Sequence, residues 1–343
     1  MNEKQSVSMH DIARQIGVSK NAVSLALAGK RGVSEATRAR VIAAAQDMGY
    51  QIETKKNYDR ACIAAIVPEY LRGDGSFYSD IFWSIENEVR KMGAMMLTHG
   101  LSKAHEIDLV PPVLPANAHI IGYLPIGVIS PAYLDMLRST GSQIVTVDIQ
   151  ATKPLLSCVT SDNLDGARQA VEYLIAHGHR RIGFVGPVFS ALSVYERWCG
   201  YRGALLQHDI PYDESLCILG RRDGFELLDT EEAQFKYFHK LESLPTAWFC
   251  AGDLIALSLI KLLGRHNLRV PQDVSVIGFD DLKVGALLSP SLTTMHIDRK
   301  LMGREAVRLL LSQYQDKSAP VRHVALPCEL VERESVARCP VGR

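Results

Sequence analysis

From residue 62 onward the chain repeats one alternation, a short apolar run followed by a longer amphipathic one. The apolar runs are CIAAIV (62–67), AMMLT (94–98), HIIGYL (119–124), QIVTV (143–147), RIGFVG (181–186), AWFCAG (247–252) and VSVIGF (274–279). They are too short for helices and suit buried strands. Between them, residues 78–92, 131–139, 164–177, 196–208, 253–266 and 299–315 carry helical spacing. Strands separated by helices pair in parallel, because the crossover must return to the same edge of the sheet. The expected class is therefore α/β with doubly wound parallel sheets. About 280 residues exceed what one such sheet needs, so two lobes are expected.

The first fifty residues have a different texture. Met9, Ile12, Ala13 and Ile16 follow a helical stripe, with Ser8 and Asp11 placed for reciprocal capping and Gly17 as the stop. Ser19 opens a second helix with Val23, Ala26 and Leu27 inward, and Gly29 and Gly32 break it. Ser34 opens a third, with Thr37, Val41, Ala44, Ala45 and Met48 inward and Gly49 as its stop. So small a unit survives by close helix packing, which the alanines permit. Helix 9–16, turn 17–19 and helix 20–28 have the spacing of a helix-turn-helix, whose second helix enters the DNA major groove. Lys20, Asn21, Ser24 and Leu25 face away from the inward stripe. Lys20 suits guanine O6 and N7, Asn21 an adenine edge, and Leu25 a thymine methyl. Ser19, Lys30, Ser34, Thr37 and Arg38 are placed for phosphates. A small helical hairpin with a merely solvated face would show the same pattern. Residues 51–61 are polar and charged and are expected to be a short linker.

Formal net charge is zero, yet residues 1–60 hold ten Lys and Arg against six Asp and Glu. A basic head on a mildly acidic body fits local binding of a polyanion. The seven cysteines form no C-x-x-C pair, and several sit inside apolar runs such as AWFC and ACIAAIV, as buried reduced thiols of a cytosolic protein do. The polar start MNEKQSVSMHD has no secretory h-region, and no stretch is apolar enough to span a bilayer. No phosphate-binding loop, H-E-x-x-H, G-x-S-x-G or dinucleotide fingerprint appears, and His177 and His179 alone do not make a metal site. The expectation is a cytoplasmic protein that is not an enzyme and needs no cofactor or metal.

The run SMHDIARQIGVSKNAVSLALAGKRGVSEATRARVIAAAQDMGY closely resembles the N-terminal domain of the lactose-repressor (LacI/GalR) family of bacterial regulators. The body resembles the same family in SDNLDGARQAVEYLIAHGHRRIGFVG (161–186), ERWCGYRGAL (196–205), VPQDVSVIGFDD (270–281), SPSLTTMHIDRKLMGREAV (289–307) and LPCELVERES (326–335). The resemblance implies a helix-turn-helix domain (1–50), a shortened linker (51–61) and a periplasmic-binding-protein-like domain (62–343). In that domain the N-lobe would comprise about 62–160 and 292–322, and the C-lobe about 161–291 and 323–337. It also implies a homodimer on a pseudo-palindromic DNA operator, repressing transcription under control of a small-molecule effector, with a sugar or sugar derivative favoured. The absence of a heptad extension after LVERES favours a dimer over a tetramer. By position in the family motifs, the effector would meet Phe77, Tyr78, Asp148, Arg197, Gly252 and Asp280. Strand C-termini face the ligand crevice in such sheets, and Asp148 and Asp280 each follow a strand. The alternative is a sugar-binding protein of the same architecture with no DNA role. The chain also departs from the family. The Pro and Leu of its hinge helix are missing between Tyr50 and Ile63, which removes the usual minor-groove wedge. Leu25 stands where Arg is common, pointing to a less guanine-directed half-site. Gly252 and Ile297 replace a common Asn and Gln, making the pocket roomier and less polar.

Overall fold

A computed structural model describes residues 7–27, 32–48, 61–73, 77–115, 118–151, 153, 155–220 and 244–339. Lys30 and the linker residues 51–60 lie outside them. The chain divides into two compact units, Met1–Asp59 and Arg60–Arg343.

In the first unit three helices pack around Ile12, Ala13, Val23, Ala26, Val41, Ala44 and Ala45, with Met9, Ile16, Val18, Leu27 and Met48 closing the rim. Helix α1 (Met9–Ile16) begins at a reciprocal cap. The Ser8 hydroxyl accepts from the Asp11 N–H, and the Asp11 carboxylate accepts from the Ser8 N–H at 3.0 Å. It ends at Gly17, whose φ of +70° a residue with a Cβ adopts only at a cost. Helix α2 (Lys20–Leu27) is capped by Ser19, which accepts from the Ala22 N–H at 3.1 Å. Helix α3 (Glu35–Asp47) is capped by Ser34, which accepts from the Thr37 N–H at 3.2 Å. Arg40 donates to the Ile16 carbonyl at 3.0 Å and so ties α3 to an open carbonyl at the end of α1. Fully burying Ile12 or Val41 is worth about 1.5–3 kcal/mol each, which makes such a small core viable.

The second unit begins with β1 (Ala61–Pro68), α4 (Phe77–Lys91), β2 (Met95–Leu101), α5 (Lys103–Ile107), β3 (His119–Pro125), α6 (Pro131–Ser139), β4 (Gln143–Val147) and β5 (Ser157–Ser161). Then follow α7 (Asn163–Ala176), β6 (Ile182–Val185), α8 (Leu192–Gln207), β7 (Ala247–Cys250), α9 (Asp253–Arg265), β8 (Ser275–Ile277) and α10 (Lys283–Ala286). It ends with β9 (Thr294–Ile297), α11 (Arg299–Gln315), β10 (His323–Leu326) and β11 (Cys328–Val331). One parallel sheet runs β10-β5-β4-β3-β1-β2 and forms the N-lobe, and a second runs β6-β7-β8 and forms the C-lobe. Strand β1, ACIAAIVP, is buried along nearly its whole length, as a strand covered on both faces must be.

The chain passes between the lobes three times, at β5 to α7, at β9 to α11 and at β10 to β11. Residues 292–297, expected in the N-lobe, instead lead into and form β9, which bridges to the end of β8 and pairs with β11 in the C-lobe, whereas residues 323–326, expected in the C-lobe, form β10 beside β5 in the N-lobe sheet. The chain crosses only at Pro327, because β10 supplies the outer partner of β5 before β11 turns antiparallel to β9. Helices α7 and α8 approach so closely that a Cβ on Gly200 would strike the carbonyl oxygen of Leu164.

Candidate functional site

On the head, Lys20, Asn21 and Ser24 are exposed on one side of α2, opposite buried Val23 and Ala26. This is the surface a groove-reading helix must present. Leu25 is half-buried, and its Cδ1 lies 3.2 Å from the place a Cβ would occupy on Gly32. The side chain therefore leans toward Gly32. Ser19 and Ser34 spend an oxygen lone pair on helix caps, and the Ser34 and Thr37 hydroxyls share a 2.9 Å hydrogen bond. Arg38 is half-buried, 3.9 Å from Glu35 on the next-lower turn of α3. The N-terminal turns of α2 and α3 each offer unpaired backbone N–H groups of the kind that bind phosphate.

In the body, the ends of four elements bring polar groups together. Asp148 follows β4 with φ of +59°, and its N–H donates to Val159. Its carboxylate accepts from the Tyr78 hydroxyl at 2.8 Å. Burial pushes the Asp148 carboxyl up to about 6, helped by the nearby Asp280 and Glu196 carboxylates and opposed by the Tyr78 hydrogen bond and Arg197. Burial and the Asp148 charge together raise the Tyr78 hydroxyl well above its usual value. Tyr78 meets Phe77 edge-on at 4.9 Å, and Phe77 is buried beneath the Arg299 guanidinium, 5.7 Å from its ring.

Arg197 on α8 is 6% exposed. Its Nε donates to Asn163 at 2.9 Å, and its Nη1 donates to the Ala251 carbonyl at 2.5 Å and pairs with Asp280 at 3.1 Å. Its plane lies 3.9 Å over the Phe279 ring. Asp280 belongs to the C-lobe like Arg197, so this ion pair stays within one lobe. Gly252 precedes α9, and a Cβ there would come within 3.1 Å of Asp280 Oδ2. Buried Asp253 fastens the same corner, accepting from the Leu282 N–H at 2.7 Å and the Thr294 hydroxyl at 2.5 Å. Burial, with Asp280 adding to it, pushes the Asp253 carboxyl up to about 7.

A cavity of about 410 Å³ opens beside this network. Its wall includes Asp148, Thr160 and Asn163, and reaches across to Ser193 and Glu196 on α8. Of the six expected effector residues, Asp148 is on that wall and Tyr78 stands one hydrogen bond behind it. Arg197 and Asp280 form the adjoining network, with Gly252 beside Asp280 and Phe77 against Tyr78.

Three residues with evident roles were not singled out from the sequence. Glu196 immediately precedes Arg197, and its Oε2 accepts from the Asn163 amide at 3.0 Å. Asn163 itself, 2% exposed, joins Ser161, Glu196 and Arg197. Arg299, 8% exposed, reaches Asp80 in the N-lobe at 3.3 Å and donates to the carbonyls of Asp280 and Asp281 in the C-lobe. The charged ERW within the glycine-containing α8 and the SDN tripeptide were the available signals. Nothing local marks Arg299.

Among the described residues no group of three or more His, Cys, Asp or Glu could hold a metal, and no helix is long and apolar enough to cross a membrane.

Residues 8–52 match the family described as bacterial regulatory proteins, lacI family, and residues 171–336 match the periplasmic binding protein-like domain. The HTH-type transcriptional repressor CytR of Escherichia coli (strain K12) is 33% identical over 98% of both chains. Among solved structures, the transcriptional regulator CelR in complex with cellobiose superposes with a TM-score of 0.69 at 26% identity, covering 96% of this chain and 99% of that one. The lac repressor dimer bound to operator and the anti-inducer ONPF superposes with a TM-score of 0.67 at 23% identity, covering 97% of this chain and 100% of that one.

Proposed function

Since this chain belongs to the lacI family of bacterial regulatory proteins, we propose that it is a transcriptional repressor whose grip on DNA is set by a small molecule in the body cleft. It works as a homodimer in the cytoplasm, on an operator whose pseudo-palindrome mirrors the two-fold axis of the protein. It is a regulator and not an enzyme, in keeping with a family of DNA-binding proteins.

The observation that carries the reading is the exposed row Lys20, Asn21 and Ser24 on a helix capped at its start and packed through its opposite side. Those three side chains meet base edges, with Leu25 at the border of the contact. Ser19, Ser34, Thr37 and Arg38 meet phosphates, as does Lys30. In the body, Tyr78, Asp148, Arg197 and Asp280 form the polar side of the effector site, with Phe77 and Gly252 supporting it. CelR holds cellobiose, and the cleft here takes a ligand of similar polarity, a sugar or sugar derivative. Effector control requires two arrangements of the lobes that differ in DNA affinity.

The test is selection of duplexes from a random pool by the purified full-length protein, followed by competition against random DNA. The expected result is a two-fold symmetric site preferred by about a thousandfold or more. Equal affinity for selected and random duplex would reject the reading.

A further inference from the structure

The wall of the body cavity is unbalanced in charge. Its charged members are Asp148, Glu196 and Lys153, and Lys153 is exposed. The nearest buried cation, Arg197, is already committed to Asn163, the Ala251 carbonyl and Asp280, with Phe279 against its plane. The two carboxylates are differently placed. One oxygen of Asp148 takes the Tyr78 hydroxyl, and one oxygen of Glu196 takes the Asn163 amide. Among the described residues the other oxygen of each is left to accept from a ligand. Glu196 is near enough to help raise the Asp148 carboxyl, so the two act on one space from opposite lobes. The remainder of the wall is mainly apolar, with Val128, Ile129, Leu134 and Leu192. A volume of about 410 Å³ has room for a nucleoside or a small sugar.

Resting on the reading of this cavity as the effector site, we propose that Glu196 and Asp148 are its specificity pair. They accept hydrogen bonds from the hydroxyl or amino groups of an uncharged or cationic ligand of nucleoside or sugar size, and they reject its phosphorylated form. The physical reason is twofold. Acceptors with no donor of their own select ligands that donate. A phosphate entering the cavity would place further negative charge beside two carboxylates in a space walled mainly by apolar side chains, while the neighbouring buried guanidinium of Arg197 is already engaged. The apolar wall covers the carbon face of the same ligand.

The experiment uses the full-length protein and matched pairs of probes: ribose and ribose 5-phosphate, glucosamine and glucosamine 6-phosphate, and the four ribonucleosides with their 5′-monophosphates. Thermal shift and calorimetry report binding in the wild type and in E196Q and D148N. At least one unphosphorylated probe is expected to raise the melting midpoint and to bind about tenfold or more tightly than its phosphate. In E196Q and D148N that probe binds about tenfold or more weakly, since a hydrogen bond to a charged group is lost. The preference over the phosphate also narrows, since a repelling charge is gone. A residue that only propped the cleft open would weaken both members of a pair and leave their ratio unchanged. The proposal is overturned by a phosphate that binds as tightly as its partner, by a ratio unmoved in both variants, or by no unphosphorylated probe binding. Failure of the regulator reading is seen separately, as loss of DNA preference in the selection experiment with these ligand results intact.

Discussion

Asp148 is a carboxylic acid kept where its charge is expensive. Its proton affinity in the folded chain, pushed up to about 6, exceeds the ordinary 3.8. A group raised in this way adds stability below the lower value and loses it as pH climbs through the upper one. Tyr78, Arg197, Asp280 and Glu196 all act on it, and the first two only partly offset burial. Asp148→Asn keeps an oxygen for the Tyr78 hydroxyl, so it should stabilise the ligand-free protein at pH 8 by roughly 1–3 kcal/mol. The gain should vanish near pH 4, and urea melts at the two pH values measure it. At the DNA surface, Asn21→Ala should cost ~1–3 kcal/mol at one base position in each half-site. Uniform weakening on every duplex would make Asn21 a phosphate contact instead. The helical period made the exposure of Lys20, Asn21 and Ser24 legible, because side chains opposite a buried stripe must face water. Leu25 was not legible, since its lean toward Gly32 joins two positions that helical spacing does not pair. Asp148 and Asp280 were accessible as residues at strand ends. Glu196 and Asn163 were not, because their meeting spans 33 positions and depends on how α7 packs on α8.

At the scale of elements, β1 to β4 and β6 to β8 fall on the apolar runs, whereas β5, β9, β10 and β11 were not read from the sequence. Strand β5, SCVTS, escaped because its buried hydroxyls look like a loop. Ser157 accepts from the Gln313 amide at 2.5 Å, and Thr160 bonds His323 at 2.7 Å, so both are satisfied by distant parts of the chain. Helix α8 starts at Leu192, before the 196 expected, and Ala191 at its cap provides no side-chain hydrogen bond to announce it. The α7–α8 pair allows almost no side chain at 200. Gly200→Val should therefore destabilise the body by ~1–3 kcal/mol or more, read as a lower urea midpoint. The start of α11 is a second sensitive point. Arg299→Ala would remove one donor from each of the Asp280 and Asp281 carbonyls and the Arg299 cation from Asp80. A loss of ~2–4 kcal/mol is expected in the same assay. Arg299→Lys should recover only part, because one ammonium cannot span two carbonyls and a carboxylate as a planar fork does.

For the whole molecule, the separation into a head and a body predicts separable functions. Deleting residues 1–59 should abolish preference for the selected operator while ligand-induced thermal shifts persist, since the cavity lies wholly within Arg60–Arg343. The α/β class and the two lobes could be read from the alternation of runs, but the final crossing could not. Residues 323–326 and 328–331 are both short and similar in composition, and only the neighbour each pairs with assigns them to different sheets. That triple passage of the chain has a practical outcome. A protease that nicks one exposed loop leaves both halves of the body tethered, because liberating either lobe takes three cuts. A premature stop codon at Pro327 would be worse tolerated than its distance from the cleft suggests, for it would strip β9 of β11, its partner in the two-stranded ladder, while sparing every residue of the cavity wall.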